Sequence, residues 1–322
     1  MPDFNAPGNR FKLVLAAVLL ICVCLAALVF VSSSNEINLA IILANPLLIP
    51  ALILQIIASG LFVTAWKVLL GMQSKAVFTF RECTAQIGVT LLGKYLPGKI
   101  WGLLGRSYLL TRRQLSGSDA MSLLITDQFI TFYTGSMIGV VALLAYYSPA
   151  LAASIALLAV ATVPAASKHY DHIIGWLLTH GTALIRKLSP NFEAGVICIN
   201  RRQFMLSFLC YILHWLSTAA VLCLLFYPAI SAELWLNCSL LVAAIPLAMM
   251  SGFLAIWAPG GIGVREAVMV AILTLQLPLE LAATIAISYR LICILIDLVI
   301  GGFAFFYYAR NTPTSQHEDQ TS

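Results

Sequence analysis

The chain has 322 residues, of which 61% are hydrophobic and only 10% charged, with a formal net charge of +5. Soluble domains run at about 45–50% apolar and about 25% charged, so this composition leaves too little polar surface for a water-soluble body. The basic residues lie scattered beside apolar runs, with no aromatic-interleaved basic face, which excludes nucleic acid as an expected partner.

The first apolar run, 11–31, follows Arg10 and Lys12 and precedes Ser32–Ser34. At about 20 residues it exceeds the 7–15 of a signal-peptide core, so it reads as a first span rather than a cleaved leader. Six further strong runs cover about 40–66, 119–147, 150–167, 204–228, 233–256 and 281–309, with weaker pieces at 84–110 and 262–277. The expectation is an all-α integral membrane protein of about eight spanning helices, one domain over 1–310, with a disordered polar tail at 311–322. Lys67, Lys75, Arg81, Arg112 and Arg113 share one side with Arg10, Lys168, Arg186, Lys187, Arg201, Arg202 and Arg310. Loops 32–38, 147–150 and 227–234 carry no positive charge. The positive-inside rule then puts both termini in the cytoplasm.

Because Arg81 and Arg112 fall on the same side, 84–110 must enter the membrane and return. Its sequence "GVTLLGKYLPGKIWGLLGR" breaks at Pro97-Gly98, where Pro removes a donor and Gly loosens the backbone. A re-entrant hairpin is expected, buried in protein or lining a wet cavity.

Setting Pro97-Gly98 on Pro259-Gly260 gives an offset of 162. Tyr95 then falls on Trp257 and Ile100 on Ile262. The same offset carries 40–66 onto 202–228, 84–110 onto 246–272 and 119–147 onto 281–309. The paired segments run in opposite directions through the membrane, so halves of about 40–147 and 202–309 read as inverted repeats whose broken segments mark the substrate site. By symmetry 233–277 is either a second deep hairpin or an ordinary pair of spans.

Ionisable residues inside apolar segments are costly and default to functional candidates with partners. Lys94, Lys99 and Arg106 sit in the first hairpin; snorkelling to the headgroups is the alternative for the lysines. Arg265 and Glu266 open the helix after Pro259-Gly260-Gly261. Gly260, Gly261 and Gly263 with that helix end would form an anion site, to which Arg265 adds a forked donor. The alternative is a clamp of Arg265 with Glu266 or Asp297 that only holds the fold. Asp127, Arg290 and Asp297 read as structural or coupling charges, including an Asp127–Arg290 pair across the repeat. His214, alone in its span, reads as a satisfied core histidine. Segment 170–188 reads as an interfacial amphipathic helix facing anionic lipid. The eight Cys contain no CxxC and read as small core hydrophobes. No HExxH, nucleophile-elbow or phosphate-loop motif occurs, so no catalytic residue, metal or cofactor is expected.

The motifs "GKYLPGKIWG" (93–102) and "PGGIGVREA" (259–267) together resemble the membrane domain of lysylphosphatidylglycerol synthases, the flippase-like domain of the bacterial multiple peptide resistance factor. The resemblance covers roughly 10–310. It implies a flippase-like fold of the bacterial inner membrane that moves an anionic phospholipid or lipid-linked glycan precursor between leaflets. The soluble acyltransferase domain of the full-length enzymes is not in this sequence, so synthase activity is not expected. Relatives of this size suggest glycan-assembly enzymes as partners. Two other readings stand beside it: a membrane-embedded transferase acting on a lipid-linked sugar, and a non-catalytic subunit of an envelope-glycan complex.

Overall fold

A computed structural model describes residues 45–71, 77–96, 101–169, 172–176, 200–255 and 257–310. The first expected span at 11–31, the break residues Pro97 and Gly98, Lys99, most of the 170–188 helix and the 311–322 tail lie outside these.

Every described element is helical, as expected of apolar segments whose backbone groups must be satisfied internally. They are α1 (Leu48–Leu70), α2 (Phe80–Gly93), α3 (Trp101–Thr111), α4 (Gly117–Tyr147) and α5 (Pro149–Lys168), followed by α6 (Arg201–Leu225), α7 (Leu234–Leu254), α8 (Val264–Leu273) and α9 (Leu279–Arg310). A short helical turn, Tyr227–Ile230, leads into α7. Among the described residues five helices are long and apolar enough to cross a membrane: α1, α4, α6, α7 with its leading turn, and α9. The apolar part of α5, Pro149–Ala165, is shorter. Large apolar side chains such as Ile49, Ile56, Leu157, Leu295 and Val299 point outward, as lipid-facing residues do.

Local sequence sets the helix starts. Thr79 accepts from the Glu82 amide, Ser116 from Asp119, and Ser148 from Leu151 with Pro149 in the first turn. Asn200 and Gln203 cap α6 reciprocally.

α2 and α3 are 14 and 11 residues long, about 21 and 16 Å at 1.5 Å per residue, so neither crosses a core of about 30 Å. They fold back on each other where Gly93 meets Gly102; a Cβ on Gly93 would sit 2.3 Å from the Gly102 Cα. In the second half of the chain α7, at 21 residues, is long enough to cross, while its partner α8 has 10.

The 162-residue offset carries 101–111 onto 263–273, beside Val264–Leu273, and 117–147 onto 279–309, beside Leu279–Arg310. It carries Gly93, the end of α2, onto 255, next to Leu254. Packing follows the same relation: α2 lies on α9 and α7 on α4, while α1 runs along α6. Gly139 and Gly301, themselves 162 apart, sit at the corresponding close approaches, Gly139 against Leu247 and Gly301 against Leu92. The match is looser for α1, whose 48–70 maps to 210–232 against Arg201–Leu225.

Candidate functional site

The turn that ends α2 meets the turn that precedes α8. α2 ends at Gly93 and the chain turns through Lys94, Tyr95 and Leu96. α7 ends at Leu254, and a 3-10 turn at Pro259–Gly261 leads into α8. The Gly260 amide donates to the Lys94 carbonyl at 2.8 Å. Gly260, Gly261 and Gly263 all have positive φ (60°, 73° and 83°), the region glycine enters without steric cost. Tyr95 packs over Gly260, where an added Cβ would lie 3.0 Å from its ring.

Charges around the breaks are sorted by this contact. Lys94 Nζ pairs with Asp297 of α9 at 2.6 Å, and Tyr95 Oη donates to the same carboxylate at 2.5 Å. Arg290 Nη1 donates to the Gly260 carbonyl at 3.1 Å, and its Nε lies 3.3 Å from Glu266 without directed hydrogen-bond geometry. Glu266 Oε2 turns back to accept from the Gly263 amide at 2.7 Å. Arg265 is left without a counter-ion: no described carboxylate lies within ion-pair distance of it. Its Nη1 lies 3.0 Å from Met249 Sδ, and its Nε is buried without a partner. Gly252 and Gly261 make the slot for it, since a Cβ on either would stand 2.2 Å from Arg265 Cγ or 2.6 Å from its Nε.

A second charged cluster is fully internal. Arg106 of α3 is 1% exposed and pairs with Asp127 of α4 at 3.0 Å, with its guanidinium 3.4 Å from the centre of the Trp66 ring. Tyr211 of α6 donates to the other Asp127 oxygen. Its members tie α1, α3, α4 and α6 together.

Between the breaks and the α1–α6 pair lies a cavity of about 200 Å³. A buried water needs roughly 15 Å³ of such space, so the volume is of headgroup size. Lys94, Arg265 and Asp297 reach it from the breaks and α9; Gln55 and Ser59 reach it from α1, Gln128 from α4 and His214 from α6. Among the described residues there is no group of three His, Cys, Asp or Glu side chains able to hold a metal.

The profile of the lysylphosphatidylglycerol synthase TM region matches residues 13–301. The chain belongs to this family. No curated protein matches it. In this family member the residues singled out from sequence divide by location. Lys94 and Arg265 face the cavity together. Arg106 does not: Asp127 and Trp66 hold it in the core, where a buried cation is retained only with a partner. The expected Asp127–Arg290 pair is absent, because Tyr211 and Arg106 take Asp127 and the Gly260 carbonyl and Glu266 take Arg290. Neither form of the Arg265 clamp occurs either, since Glu266 and Asp297 are engaged elsewhere. The glycine amides do not form an open anion site: Gly260 bonds Lys94, Gly261 bonds the Ala258 carbonyl at 2.9 Å, and Gly263 is capped by Glu266. Glu266 thus completes the start of α8.

Sequence reasoning passed over Gln55, Ser59 and Gln128, and took His214 only as a core residue. His214 Nδ1 does lie 2.8 Å from the Ala58 carbonyl, but the ring also lines the cavity. The available signal was spacing: Gln55 and Ser59, like His214 and Thr218, are four apart in otherwise apolar helices and therefore share a face.

Proposed function

We propose that this membrane protein is a flippase-like translocator that carries a lipid with an anionic headgroup across the bacterial inner membrane, with both termini cytoplasmic. The observation that carries the reading is the Arg265 guanidinium, which faces a headgroup-sized cavity with no described carboxylate within ion-pair distance. A cation at bilayer depth is costly unless paired, and a phosphate entering the cavity supplies the missing charge with the forked geometry that arginine matches. Lys94 is the second cation within reach, already shared with Asp297.

The architecture fits a carrier built from two inverted repeats, about 40–147 and 202–309, with α2–α3 as a re-entrant hairpin and α7–α8 as its counterpart. Support comes from the coincident helix bounds and matched packing under one offset. Among the described residues the hairpins touch through the Gly260–Lys94 backbone hydrogen bond and Tyr95 over Gly260, and the Lys94–Asp297 pair joins the first hairpin to α9 beside them. Parting and reforming these contacts as one half rocks against the other would open the cavity to each leaflet in turn.

Reconstituted in vesicles, the protein should accelerate the passage of a fluorescent anionic phospholipid between leaflets. Arg265→Ala should slow it by about ten- to hundredfold, the equivalent of one charge-assisted hydrogen bond of about 1.5–3 kcal/mol. Because its loss orphans no described carboxylate, only the weak acceptor Met249 Sδ, this variant should melt at or above the wild-type temperature. Unchanged transport by Arg265→Ala, or no transport by the wild type of any anionic lipid, would refute the reading.

A further inference from the structure

Two sets of groups line the cavity, with the uncharged Thr90 of α2 and Gln128 and Thr131 of α4 beside them. From the breaks and α9 come Lys94, Arg265 and Asp297; Asp297 is spent on Lys94 and Tyr95, so among the described residues the set is left with one uncompensated positive charge, on Arg265. From α1 and α6 come Gln55, Ser59, His214 and Thr218, all uncharged.

The second set is rich in acceptors. Ser59 Oγ gives its proton to the Gln55 carbonyl at 3.0 Å, and Thr218 Oγ1 gives its proton to the His214 carbonyl at 2.9 Å. A carbonyl only accepts, so the contact of His214 Nδ1 with Ala58 puts the ring proton on Nδ1 and leaves Nε2 as a lone pair in the neutral ring. Among the described residues Gln55 Oε1 has no hydrogen-bond partner, and because it is covered a ligand hydroxyl reaches it only as the Gln55 side chain turns toward the cavity. A buried acceptor left unpaired is destabilising, and this wall calls for a ligand that brings its own hydrogen-bond donors. Phe62 and Trp215 flank His214, with ring centroids 5.1 and 5.2 Å from it, and offer flat apolar faces beside those acceptors.

We propose that the headgroup taken by this cavity is a phosphate ester of an uncharged polyol or sugar. Its phosphate sits on Arg265 and its hydroxyls donate to Gln55 Oε1 and His214 Nε2. Headgroups bearing an ammonium are discriminated against, the lysyl ester of phosphatidylglycerol among them. Ammonium hydrogens could reach the same acceptors, but among the described residues no uncommitted carboxylate lines the cavity, and Arg265 repels a second cation. The assignment rests on the translocator reading for what the cavity is for, but its selectivity is measurable apart from transport.

The experiment uses the full chain in mixed micelles. Phosphatidylglycerol, phosphatidylethanolamine, lysylphosphatidylglycerol and a monoglycosylated polyprenyl phosphate compete for retention, read by native mass spectrometry, and vesicle transport is run in parallel. Phosphatidylglycerol or the glycosyl lipid should be retained at least about tenfold over the lysyl and ethanolamine lipids, and the order of those two separates polyol from sugar. Gln55→Glu places a carboxylate in the acceptor wall and should narrow or invert the ratio. Equal or preferred retention of the lysyl lipid by the wild type, or a ratio unmoved by Gln55→Glu, overturns the assignment. Selective retention without any transport supports it and sinks the translocator reading alone.

Discussion

Replacing Gly93 with Ala should open the α2–α3 hairpin. The new Cβ would lie 2.3 Å from both the Cα and the N of Gly102, against about 3.5–4.0 Å for relaxed carbon contacts. The helices must therefore part by more than about 1 Å at their crossing. α2 has nowhere to retreat. On its α9 side a Cβ at Gly88 would already meet the Ile300 carbonyl at 2.5 Å, and Leu92 fills the space over Gly301 to the same limit. Since the clash is backbone against backbone on one side and a packed helix on the other, the cost should fall near the upper end of overpacking, about 3 kcal/mol. That corresponds to a fall of roughly 5 °C in a chain of this size. Thermal unfolding in detergent, followed by tryptophan fluorescence or by the surviving monodisperse peak on size exclusion, measures it. Gly60→Ala on α1 is the control, because a Cβ there meets nothing within 4 Å; it should be neutral or slightly stabilising. If Gly93→Ala melts within about 1 °C of wild type, the close approach of α2 and α3 does not exist as described.

Asp127→Asn should be the most damaging conservative change, because it strands Arg106 in the core at a cost of about 3–5 kcal/mol. Replacing both with apolar residues of similar volume, Arg106→Met with Asp127→Leu, should recover much of the loss in the same melting assay. Gly261→Ala adds a side chain at φ 73° and 2.6 Å from Arg265 Nε. It should cost about 1–2 kcal/mol of backbone strain and reduce lipid passage by displacing the guanidinium. Asn200→Ala removes the α6 cap and should lower stability by about 1 kcal/mol while leaving transport intact, which separates stability effects from those on the site.

Class, the described helices and the break at Pro259–Gly261 were legible in the sequence. Composition and run length are properties of the bilayer as solvent: a segment of about 20 apolar residues must become a helix whose partners are internal. Pro259-Gly260-Gly261 announces its break locally, through missing donors and positive φ, and the Pro97–Pro259 offset brought the bounds of α3 and α4 within a residue or so of those of α8 and α9. What sequence could not decide was which charge meets which. Asp297 closes on Lys94 across 203 residues, Asp127 on Tyr211 across 84, and Arg290 on Gly260 across 30. Nothing in the local pattern distinguishes these from the Asp127–Arg290 and Arg265–Glu266 pairs that adjacency or symmetry suggested. A side chain on a helix can face any of several neighbours, and the choice is made by which backbones approach closely enough. Here Gly252 and Gly261 let Arg265 lie along the break toward the cavity, while Glu266, one residue on, turns back to cap its own helix. Tertiary packing alone therefore left Arg265 at the cavity with no described carboxylate beside it and paired Arg106 with Asp127 in the core, although the sequence presents both as charges stranded in apolar helices.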